Sequence, residues 1–383
     1  MLSYWEKKNF LDFDVIIVGA GLTGLSAALS LKEKAPGYQV AVLERGVLPA
    51  GASSRNAGFA CIGSLTEILD DLEHMGTERV LELVGLRMKG LELLRKRLGK
   101  RQIGYQEDGS FELLASGGRA LEQMEKINKL LFPVLGSDAF SDAGDRARTF
   151  GFDAAFIGGI IQNNLEGALN TGKMMKALRR KALAAGVEIL SGCRVNKFRE
   201  DSRYVIVETA ALAGEQPWCF RASRVAVCTN AFTSLLLPDV MIRPARGQVL
   251  LTKPVKGLPF RGIFHFDKGY YYFRELDGRV LLGGGRNLDV RGETTTIPEV
   301  TDLIQQDLEE KLRTVILPGR EVQIDQRWAG IMGFGADKFP EIRAYSQRIF
   351  VAAGMGGMGI AIGSEAGRQI ASLILGNTDK PED

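Results

Sequence analysis

The chain has 383 residues, and at about 150 residues per domain this length predicts two or three domains. Hydrophobic residues make up 45% of the sequence and charged residues 25%, which excludes an intrinsically disordered chain. The formal net charge is only +3 and the basic residues are scattered, so no nucleic-acid-binding surface is expected.

Cysteine and histidine usage argues against two kinds of site. The cysteines form no C-x-x-C pair, and the sequence has only two histidines. A structural zinc site or a Cys/His nucleophile pair needs closer clustering than this, so no metal is expected. Free thiols are typical of a reducing compartment, which favours a cytoplasmic location. The residues concerned are Cys61, Cys193, Cys219, Cys228, His74 and His265.

Two uncharged, glycine-rich stretches, residues 15–31 and 349–364, resemble membrane spans at first sight. Both are at or below the shortest spanning helix of about 17 residues. The first follows Asp12 and Asp14, whereas a signal peptide begins with a basic segment. We therefore expect two buried strand–turn–helix units and no transmembrane segment.

The first motif in chain order is a strand, a glycine-rich turn and a helix. A β-branched run at 15–18 leads directly into G-x-G-x-x-G, whose glycines are Gly19, Gly21 and Gly24. A second apolar run at 39–43 ends at Glu44. This is the β-α-β pattern of dinucleotide-binding proteins, in which the glycines permit a tight turn, the approach of a pyrophosphate and close helix–strand packing. An acid at the end of the second strand binds ribose hydroxyls and disfavours the 2′-phosphate of NADP.

Similar buried strands return near 187–195, 224–231 and 348–353, with helical or strand-rich segments between them. A simple NAD-dependent dehydrogenase more often completes its nucleotide fold in one continuous stretch. The interleaving therefore predicts one discontinuous domain for a large cofactor, residues 1–75, 155–238 and 340–383. The remaining residues, 76–154 and 239–339, are predicted to form a sheet-rich substrate domain.

Several short motifs together resemble one family, the FAD-dependent amine and amino-acid oxidoreductases that include glycine oxidase, D-amino-acid oxidase and sarcosine oxidase. The most specific motif is Gly51-Ala-Ser-Ser-Arg-Asn-Ala-Gly58. The resemblance covers nearly the whole chain. It implies an α/β fold, in which an FAD-binding Rossmann-like domain of the glutathione-reductase type carries an inserted α+β substrate domain built on an antiparallel sheet. The other motifs are Val18–Gly24, the Glu44-Arg45 pair, Pro244–Gln248, Trp328–Gly330 and the closing Gly354-Met-Gly-Gly-Met-Gly359.

The same resemblance implies non-covalently bound FAD. Residues 52–58 offer successive backbone N–H donors, two hydroxyls and a guanidinium, which suit a diphosphate and a flavin edge. The closing glycines precede a helix whose N-terminal dipole would stabilise negative charge on the flavin. The predicted cofactor-binding residues are Gly19, Gly21, Leu22, Thr23, Gly24, Glu44, Arg45, Ala52, Ser53, Ser54, Arg55, Asn56, Ala57, Gly58, Val195, Thr229, Asn230, Ala231, Gly354, Gly356, Gly357, Met358, Gly359 and Ile360.

The reaction implied by the resemblance is oxidation of a C–N bond. A hydride leaves the carbon next to an amine for flavin N5, and water hydrolyses the resulting imine. The expected substrate is a small amine or amino-acid-like molecule, and oxygen or another electron acceptor would reoxidise the flavin. The flavin supplies the chemistry and the protein positions the substrate.

The sequence departs from the family where a substrate carboxylate would bind. Glycine and D-amino-acid oxidases carry an arginine two residues after the W-A-G-like stretch, and Met332 takes that place here. Glycine oxidase has a further arginine in the closing segment, where this chain has Gly357. Both bidentate carboxylate contacts are therefore missing. This difference favours a secondary amine, a polyamine conjugate or an N-substituted amino acid over a simple free α-amino acid.

Replacement binding groups are expected in the inserted domain. Side chains alternate along the predicted strand 269–274, so Tyr270 and Tyr272 share one face and Tyr271 lies on the other. The sequence does not decide which face meets the flavin. The predicted catalytic residues are Tyr270, Tyr272 and Arg286, and Arg246 is a second candidate for an anion contact.

Two other functions stay open from the sequence alone. An NAD-dependent dehydrogenase would be colourless, whereas a flavoprotein would be yellow. A non-catalytic flavin-binding subunit would hold a flavin that no amine reduces. Oxidase and dehydrogenase activity are not distinguished either, because oxygen reactivity depends on access and charge near flavin C4a.

Overall fold

The computed structural model describes residues 3–115, 118–210 and 217–376, and within them the chain forms ten α-helices and eighteen β-strands. The helices are α1 (Tyr4–Asn9), α2 (Leu22–Lys34), α3 (Ala52–Arg55), α4 (Leu65–Met75), α5 (Thr77–Leu98), α6 (Gly118–Leu135), α7 (Ala147–Phe150), α8 (Thr171–Ala184), α9 (Asp302–Lys311) and α10 (Gly359–Ile374). The strands are β1 (Asp12–Val18), β2 (Val40–Glu44), β3 (Phe59–Ala60), β4 (Ser110–Leu114), β5 (Phe140–Asp142), β6 (Gly159–Asn163), β7 (Gly167–Ala168), β8 (Val187–Ser191), β9 (Val195–Glu200), β10 (Val205–Thr209), β11 (Cys219–Val227), β12 (Arg243–Thr252), β13 (Ile263–Phe266), β14 (Tyr271–Leu276), β15 (Arg279–Gly284), β16 (Ile324–Phe334), β17 (Glu341–Ala344) and β18 (Ile349–Ala353).

The first of two large sheets has the strand order β17-β18-β11-β1-β2-β8, with β10 and β9 continuing from β11. Strands β18, β11, β1, β2 and β8 run parallel. β17 pairs antiparallel at one edge, and β9 and β10 form an antiparallel extension. β1 and β2 are almost continuously buried, as parallel strands covered on both faces are. The predicted β-α-β unit is therefore present as β1, α2 and β2.

Helices cover this sheet with close backbone contacts that glycines permit. α10 packs on both α2 and α5. A Cβ on Gly90 of α5 would lie 1.9 Å from the Ala361 carbonyl oxygen of α10, and one on Gly367 would lie 2.6 Å from Ser26 Cβ of α2. Larger residues would push these helices apart, so the three helices form one tightly packed layer.

The two uncharged stretches are confirmed as strand–turn–helix units. Residues 15–31 form most of β1 and α2, and residues 349–364 form β18 and the start of α10. Both helices are apolar because they are buried against the sheet and each other. In the parts of the chain that the structure describes, no helix is long and apolar enough to cross a membrane.

The second large sheet has the order β16-β12-β15-β14-β13-β4-β6-β5 and is antiparallel except for the β13–β4 pair. One of its faces carries a cluster of phenylalanines. Phe264 stacks on Phe273 with ring centroids 4.9 Å apart, and Phe111 stacks on Phe264 at 5.1 Å. Each such pair contributes about 0.5–1.5 kcal/mol beyond its burial. This cluster gives the second sheet its own core.

Strands of the first sheet come from residues 12–44, 187–227 and 341–353, and those of the second from 110–163 and 243–334. Two elements bear on the predicted domain ranges. β6, which falls in the range 155–238, pairs with β4 and β5 of the second sheet. α5, which falls in the range 76–154, packs on α10 beside the first sheet. The domain boundaries stay a prediction.

Candidate active site

A cavity of about 1050 Å³ is lined by residues of both large sheets and of α4. It begins where β1 and β2 end, at Gly19 and Glu44, and reaches Tyr272 of β14. Ligands of α/β folds bind at the carboxyl ends of parallel strands. The volume lies just above the range of about 300–1000 Å³ for ligand sites, which suits a dinucleotide together with a substrate.

The glycine-rich turn has the geometry that a pyrophosphate site requires. Gly19 has φ +108°, which disfavours any residue with a side chain, and a Cβ there would lie 2.7 Å from the Cys228 carbonyl oxygen. Gly21 precedes α2 as its N-cap, so the first N–H groups of this helix point toward the cavity. The Leu22 N–H donates to the Ser53 hydroxyl at 2.9 Å. The turn therefore presents unblocked backbone and a hydroxyl to one part of the cavity.

Glu44 is held by backbone donors rather than by a cation. Its carboxylate oxygens accept from the Ala20 N–H at 2.9 Å and from the Gly46 N–H at 3.0 Å. The neighbouring Arg45 lies with its guanidinium 3.8 Å from the centre of the Phe232 ring, and burial lowers its pKa. This fixed carboxylate and flat cationic surface can receive a ribose and an aromatic base.

The 52–58 segment is stabilised by its own side chains. The Asn56 amide donates to the carbonyls of Ala52 and Ser53, both at 3.0 Å, and its oxygen accepts from the Gly58 N–H at 2.9 Å. Arg55 donates through Nη1 to the Ala329 carbonyl at 2.9 Å, so its guanidinium reaches the second sheet. Asn56 thus fixes the loop, and Arg55 joins it to β16.

The closing segment is joined to the turn after β11 by one side chain. Asn230, which has φ +48°, accepts through its amide oxygen from the N–H groups of Gly354 and Met355 at 3.0 and 3.3 Å. α10 begins at Gly359, so its N-terminal end and positive dipole lie on the cavity wall. A Cβ on Gly357 would meet nothing within 4 Å.

All but four of the predicted cofactor-binding residues line the cavity. Gly24 instead supports the turn, since a Cβ there would lie 2.0 Å from the Gly19 carbonyl oxygen. Gly58 is buried with φ +81° against the Leu169 carbonyl, Gly354 has φ +79°, and the Ser54 hydroxyl donates to the Pro49 carbonyl at 2.7 Å. The three glycines shape the site through the backbone, and Ser54 does so through its hydroxyl. Contact of any of these residues with the cofactor stays a prediction.

Strand β14 presents Tyr272 to the cavity and Tyr271 to the opposite side. The Tyr272 ring packs edge-on against Phe59 at 5.5 Å, and a Cβ on Gly283 would lie 2.6 Å from it. Burial raises the pKa of Tyr272 to about 12, so the hydroxyl is a neutral donor at physiological pH. Tyr271 stacks on Phe266 in the second core and donates to Asp307 at 2.8 Å. Tyr270 lines the cavity and is 40% exposed, which places it at the rim.

Arg286 and Arg246, the two predicted anion contacts, have different environments. Arg286 lines the cavity, with its guanidinium 5.0 Å from the centre of the Phe334 ring. Among the residues that the structure describes, its guanidinium forms no hydrogen bond or ion pair. Arg246 does not line the cavity, because it forms a buried bidentate pair with Glu293 at 3.0 and 2.6 Å. Of these two arginines, Arg286 is therefore the one available to a ligand.

One charged part of the cavity wall is not marked by any sequence motif. No motif marks these residues: three are spaced along α4, and the others are in two separate turns. An acidic helix face of this kind is usually solvent-exposed, so its spacing alone carries no functional signal. The residues are Glu67, Asp70, His74, Lys268, Asp337 and Lys338.

Cys61 also lines the cavity, in surroundings that disfavour the thiolate form of its side chain. Burial and the neighbouring Glu166 carboxylate raise its pKa well above the usual value. Glu166 is itself buried and accepts from the N–H groups of Ile62 and Gly63 at 2.6 and 3.0 Å. A nucleophilic cysteine needs a lowered pKa, so this position does not suit a covalent flavin link.

Similarity to known proteins identifies the protein family. The sequence model of the DAO family, described as FAD-dependent oxidoreductases, matches residues 14–373, and the chain belongs to that family. It is an FAD-dependent oxidoreductase of mixed α/β fold, as the motifs predicted, and the NAD-dependent alternative is wrong. The cavity fits the cofactor, because the turn at Gly21 leaves space for a diphosphate and Glu44 is available to a ribose.

Individual relatives are distant but extend over most of the chain. It is 27% identical over 381 residues to gamma-glutamylputrescine oxidoreductase of Escherichia coli, covering 96% of this chain and 84% of that protein. It is 24% identical over 380 residues to glycine oxidase of Bacillus licheniformis, covering 97% and 95%. The solved structure of glycine oxidase from Geobacillus kaustophilus matches with a TM-score of 0.76 at 21% identity, covering 97% of each chain.

Proposed function

We propose that this enzyme oxidises a C–N bond of a small amine or amino-acid-like substrate other than a simple free α-amino acid. The observation that carries the proposal is the composition of the cavity wall formed by the second sheet. Tyr272 and Arg286 supply one neutral donor and one unpaired cation, and Met332 adds apolar surface beside them. Such a wall suits a substrate with one anionic or polar group and an alkyl part.

Tyr272 is proposed to orient the substrate. Its ring is fixed between Phe59 and Gly283, so its hydroxyl has one position in the cavity. With a pKa near 12, this hydroxyl does not act as a base at neutral pH. Bound FAD would supply the acceptor for a hydride from the carbon next to the amine. Tyr272 then holds a polar group of the substrate while that carbon lies at the cofactor.

Arg286 is proposed to bind the anionic group of the substrate. Stacking on Phe334 limits its motion and leaves its N–H donors free, so little side-chain freedom is lost when an anion binds. Tyr270, on the same side of the cavity, is proposed to contact the outer part of the substrate.

Met332 is proposed to contact the alkyl part of the substrate. A Cβ on Gly247 would lie 3.1 Å from Met332 Cε and 3.8 Å from the Tyr272 hydroxyl, so the thioether lies beside that hydroxyl. Methionine adapts to irregular apolar groups, whereas an arginine here would demand a carboxylate. The names of the two relatives, one acting on a polyamine conjugate and one on glycine, place both kinds of amine among the substrates to test.

FAD is proposed to bind without a covalent link, in contact with the glycine turn, Glu44 and the 52–58 segment. Oxygen or another acceptor would reoxidise it. The four cysteines are free thiols, which favours a cytoplasmic location.

The proposed reaction is tested by anaerobic bleaching of the yellow holoenzyme. Glycine, D-alanine, sarcosine, other N-methyl amino acids and polyamine conjugates are added separately, and loss of the flavin absorbance is followed. Reduction by at least one secondary amine or conjugate supports the proposal. If dithionite reduces the flavin but no amine does, the protein is a flavin-binding subunit without amine-oxidising activity.

A further inference from the structure

Strand β13 carries a buried histidine on the cavity wall. His265 is 8% exposed and lines the cavity, whereas its neighbours Phe264 and Phe266 belong to the aromatic core on the opposite face of the sheet. Among the residues that the structure describes, the His265 ring forms no hydrogen bond or ion pair. Buried polar groups are nearly always hydrogen-bonded, so a buried imidazole that lines a cavity with both nitrogens unbonded indicates a ligand.

His265 is distant from the Tyr272 hydroxyl, although the two residues are paired in the β13–β14 register. The Tyr272 ring extends the other way: a Cβ on Gly283 of β15 would lie 2.6 Å from it, and one on Gly247 of β12 would lie 3.8 Å from its hydroxyl. The strands follow the order β12-β15-β14-β13, and at about 4.8 Å per neighbour β12 and β13 are about 14 Å apart. His265 and the Tyr272 hydroxyl therefore mark two separate polar ends of one cavity.

The part of the cavity beside His265 is the inner compartment, which we define by its lining residues Cys61, Ser64, Glu67 and His265. The buried carboxylate of Glu166 connects its two sides. Burial and Glu166 raise the pKa of Cys61, and burial raises the pKa of Glu166 itself, a rise that His265 opposes. Cys61 and His265 are therefore close to the same carboxylate.

The charged residues of the cavity wall at α4 are paired with one another. Glu67 lies 3.0 Å from both Arg87 and Lys338, and Asp70 lies 2.7 Å from Lys268. Together with the partners that lie outside the cavity, four acids face four bases, so these pairs add no net charge. The acids are Glu67, Asp70, Asp71 and Asp337, and the bases are Arg79, Arg87, Lys268 and Lys338.

Two further carboxylates near His265 have no such balance. Glu112, which is 3% exposed, is paired with His265 in the β4–β13 register and accepts from the N–H and hydroxyl of Thr66. Glu166, which is 1% exposed, accepts from two backbone N–H groups and the Ser110 hydroxyl. Among the described residues, neither forms an ion pair, whereas buried charges are usually paired. Charge complementarity at His265 therefore favours a cationic ligand over an anionic one.

We propose that His265 binds the ammonium group at the far end of an extended substrate, a diamine or polyamine whose other amine lies beside the Tyr272 hydroxyl. An imidazole nitrogen that carries no proton accepts a hydrogen bond from the ammonium, and Glu112 and Glu166 behind it stabilise the positive charge. Oxidation of the other amine rests on the proposed function, whereas the binding of a cation at His265 does not.

Calorimetry on the dithionite-reduced holoenzyme tests the proposal without turnover, because a reduced flavin oxidises no amine. The probes are α,ω-diaminooctane, octylamine and octanoate, which share one chain length and differ in the charge of their ends. We expect the diamine to bind most tightly in the wild type. His265→Leu should weaken diamine binding about 10- to 150-fold, the range for one hydrogen bond to a charged group, and leave octanoate binding unchanged.

Two further variants locate the effect. Glu112→Gln keeps a side chain that can bond to Thr66 but removes the charge, so diamine binding should weaken in the same direction and by a smaller factor. His74→Leu is the matched control, because His74 is the other histidine of the chain and its side chain is 71% exposed. This variant should bind all three probes as the wild type does.

Nuclear magnetic resonance gives a second readout on the wild type, which does not depend on how well His265→Leu folds. With only two histidines in the chain, nitrogen-labelled imidazoles give two sets of signals, which His74→Leu assigns. The His265 signals should shift with the diamine and stay in place with octanoate.

Equal binding of the diamine and octylamine in the wild type would overturn the proposal, as would unchanged diamine binding in His265→Leu. Octanoate binding that weakens in His265→Leu would also overturn it, because His265 would then bind an anion. If the diamine binds as expected but no amine reduces the oxidised flavin, the proposed function alone is contradicted.

Discussion

The indole N–H of Trp328 donates to the Arg55 carbonyl at 2.9 Å, so two motifs that lie far apart in the sequence are in direct contact. In the other direction, the Arg55 side chain donates to the carbonyl of Ala329, the residue after Trp328. These reciprocal bonds join the loop at the end of the first sheet to β16 of the second. They fix one side of the cavity where the two sheets meet.

Trp328→Phe should weaken this junction while keeping an aromatic ring. Losing one hydrogen bond to a partly buried carbonyl costs about 0.5–1.5 kcal/mol. We expect a decrease of that size in the free energy of unfolding, measured with denaturant. Trp5→Phe is the control, because Trp5 is 66% exposed and should leave stability unchanged. Equal stability of both variants would show that the junction contributes nothing.

Substitutions in the glycine turn should separate cofactor binding from folding. A Cβ on Gly21 would lie 3.0 Å from the Ser53 hydroxyl, which can move, whereas one on Gly24 would lie 2.0 Å from the Gly19 carbonyl oxygen. We expect Gly21→Val to fold and lose FAD, and Gly24→Val to fail to fold. Flavin absorbance per protein and far-UV circular dichroism measure the two effects. Gly37→Val, at a position with open space, should keep its flavin.

The flavin should be released by acid precipitation. Cys61 lies close to the 52–58 segment, and burial raises its pKa, which disfavours the thiolate that a covalent link needs. We therefore expect a colourless pellet and a yellow supernatant. Colour that stays in the pellet would show a covalent link. Cys61→Ser should then be tested for loss of that link.

The parts of the fold that follow from the sequence are those in which a local pattern has one structural solution. The glycine turn with Glu44 required a β-α-β unit, and the structure has it. Residues 103–115 resemble a hairpin interrupted at 107–110, yet 110–114 form β4, which pairs with β13 and β6, distant in sequence. Alternation in β14 correctly separated Tyr272 from Tyr271, but only packing shows that Tyr271 enters the aromatic core. Arg246 could not be recognised as buried, because its partner Glu293 lies on another segment.

Glu67 should make stability depend on acid pH. Burial opposes its ionisation, but Arg87 and Lys338 outweigh burial and lower its pKa from 4.5 to about 2. Since the folded-state pKa is the lower one, ionised Glu67 stabilises the fold above about pH 4.5, and this contribution disappears as the pH falls toward about 2. The stability difference between wild type and Glu67→Gln, from denaturant unfolding, should narrow over this range. If the stability difference between wild type and Glu67→Gln stays constant with pH, the pKa of Glu67 is not lowered by folding.

The substrate preference follows from the cations available in the cavity. Met332 provides no charge, and Arg286 is the cavity arginine that we propose for an anion. Loss of a charge-assisted bidentate contact costs about 1.5–3 kcal/mol, or about 10- to 150-fold in binding. Glycine and D-alanine should therefore reduce the flavin poorly, and a secondary amine or polyamine conjugate should reduce it better. Stopped-flow measurement of anaerobic flavin reduction gives the rate and the apparent affinity for each compound.

Arg286→Ala tests whether this residue binds the anionic group of the best substrate. We expect its apparent affinity to fall about 10- to 150-fold, with a smaller change in the limiting rate of reduction, because the contact is distant from the bond being oxidised. Arg291→Ala, at an exposed position on the following segment, is the matched control and should behave as wild type. Fast reduction of the wild type by D-alanine would contradict the missing carboxylate contact. If that reduction then disappeared in Arg286→Ala, Arg286 would have replaced the arginine that other family members carry at the position of Met332.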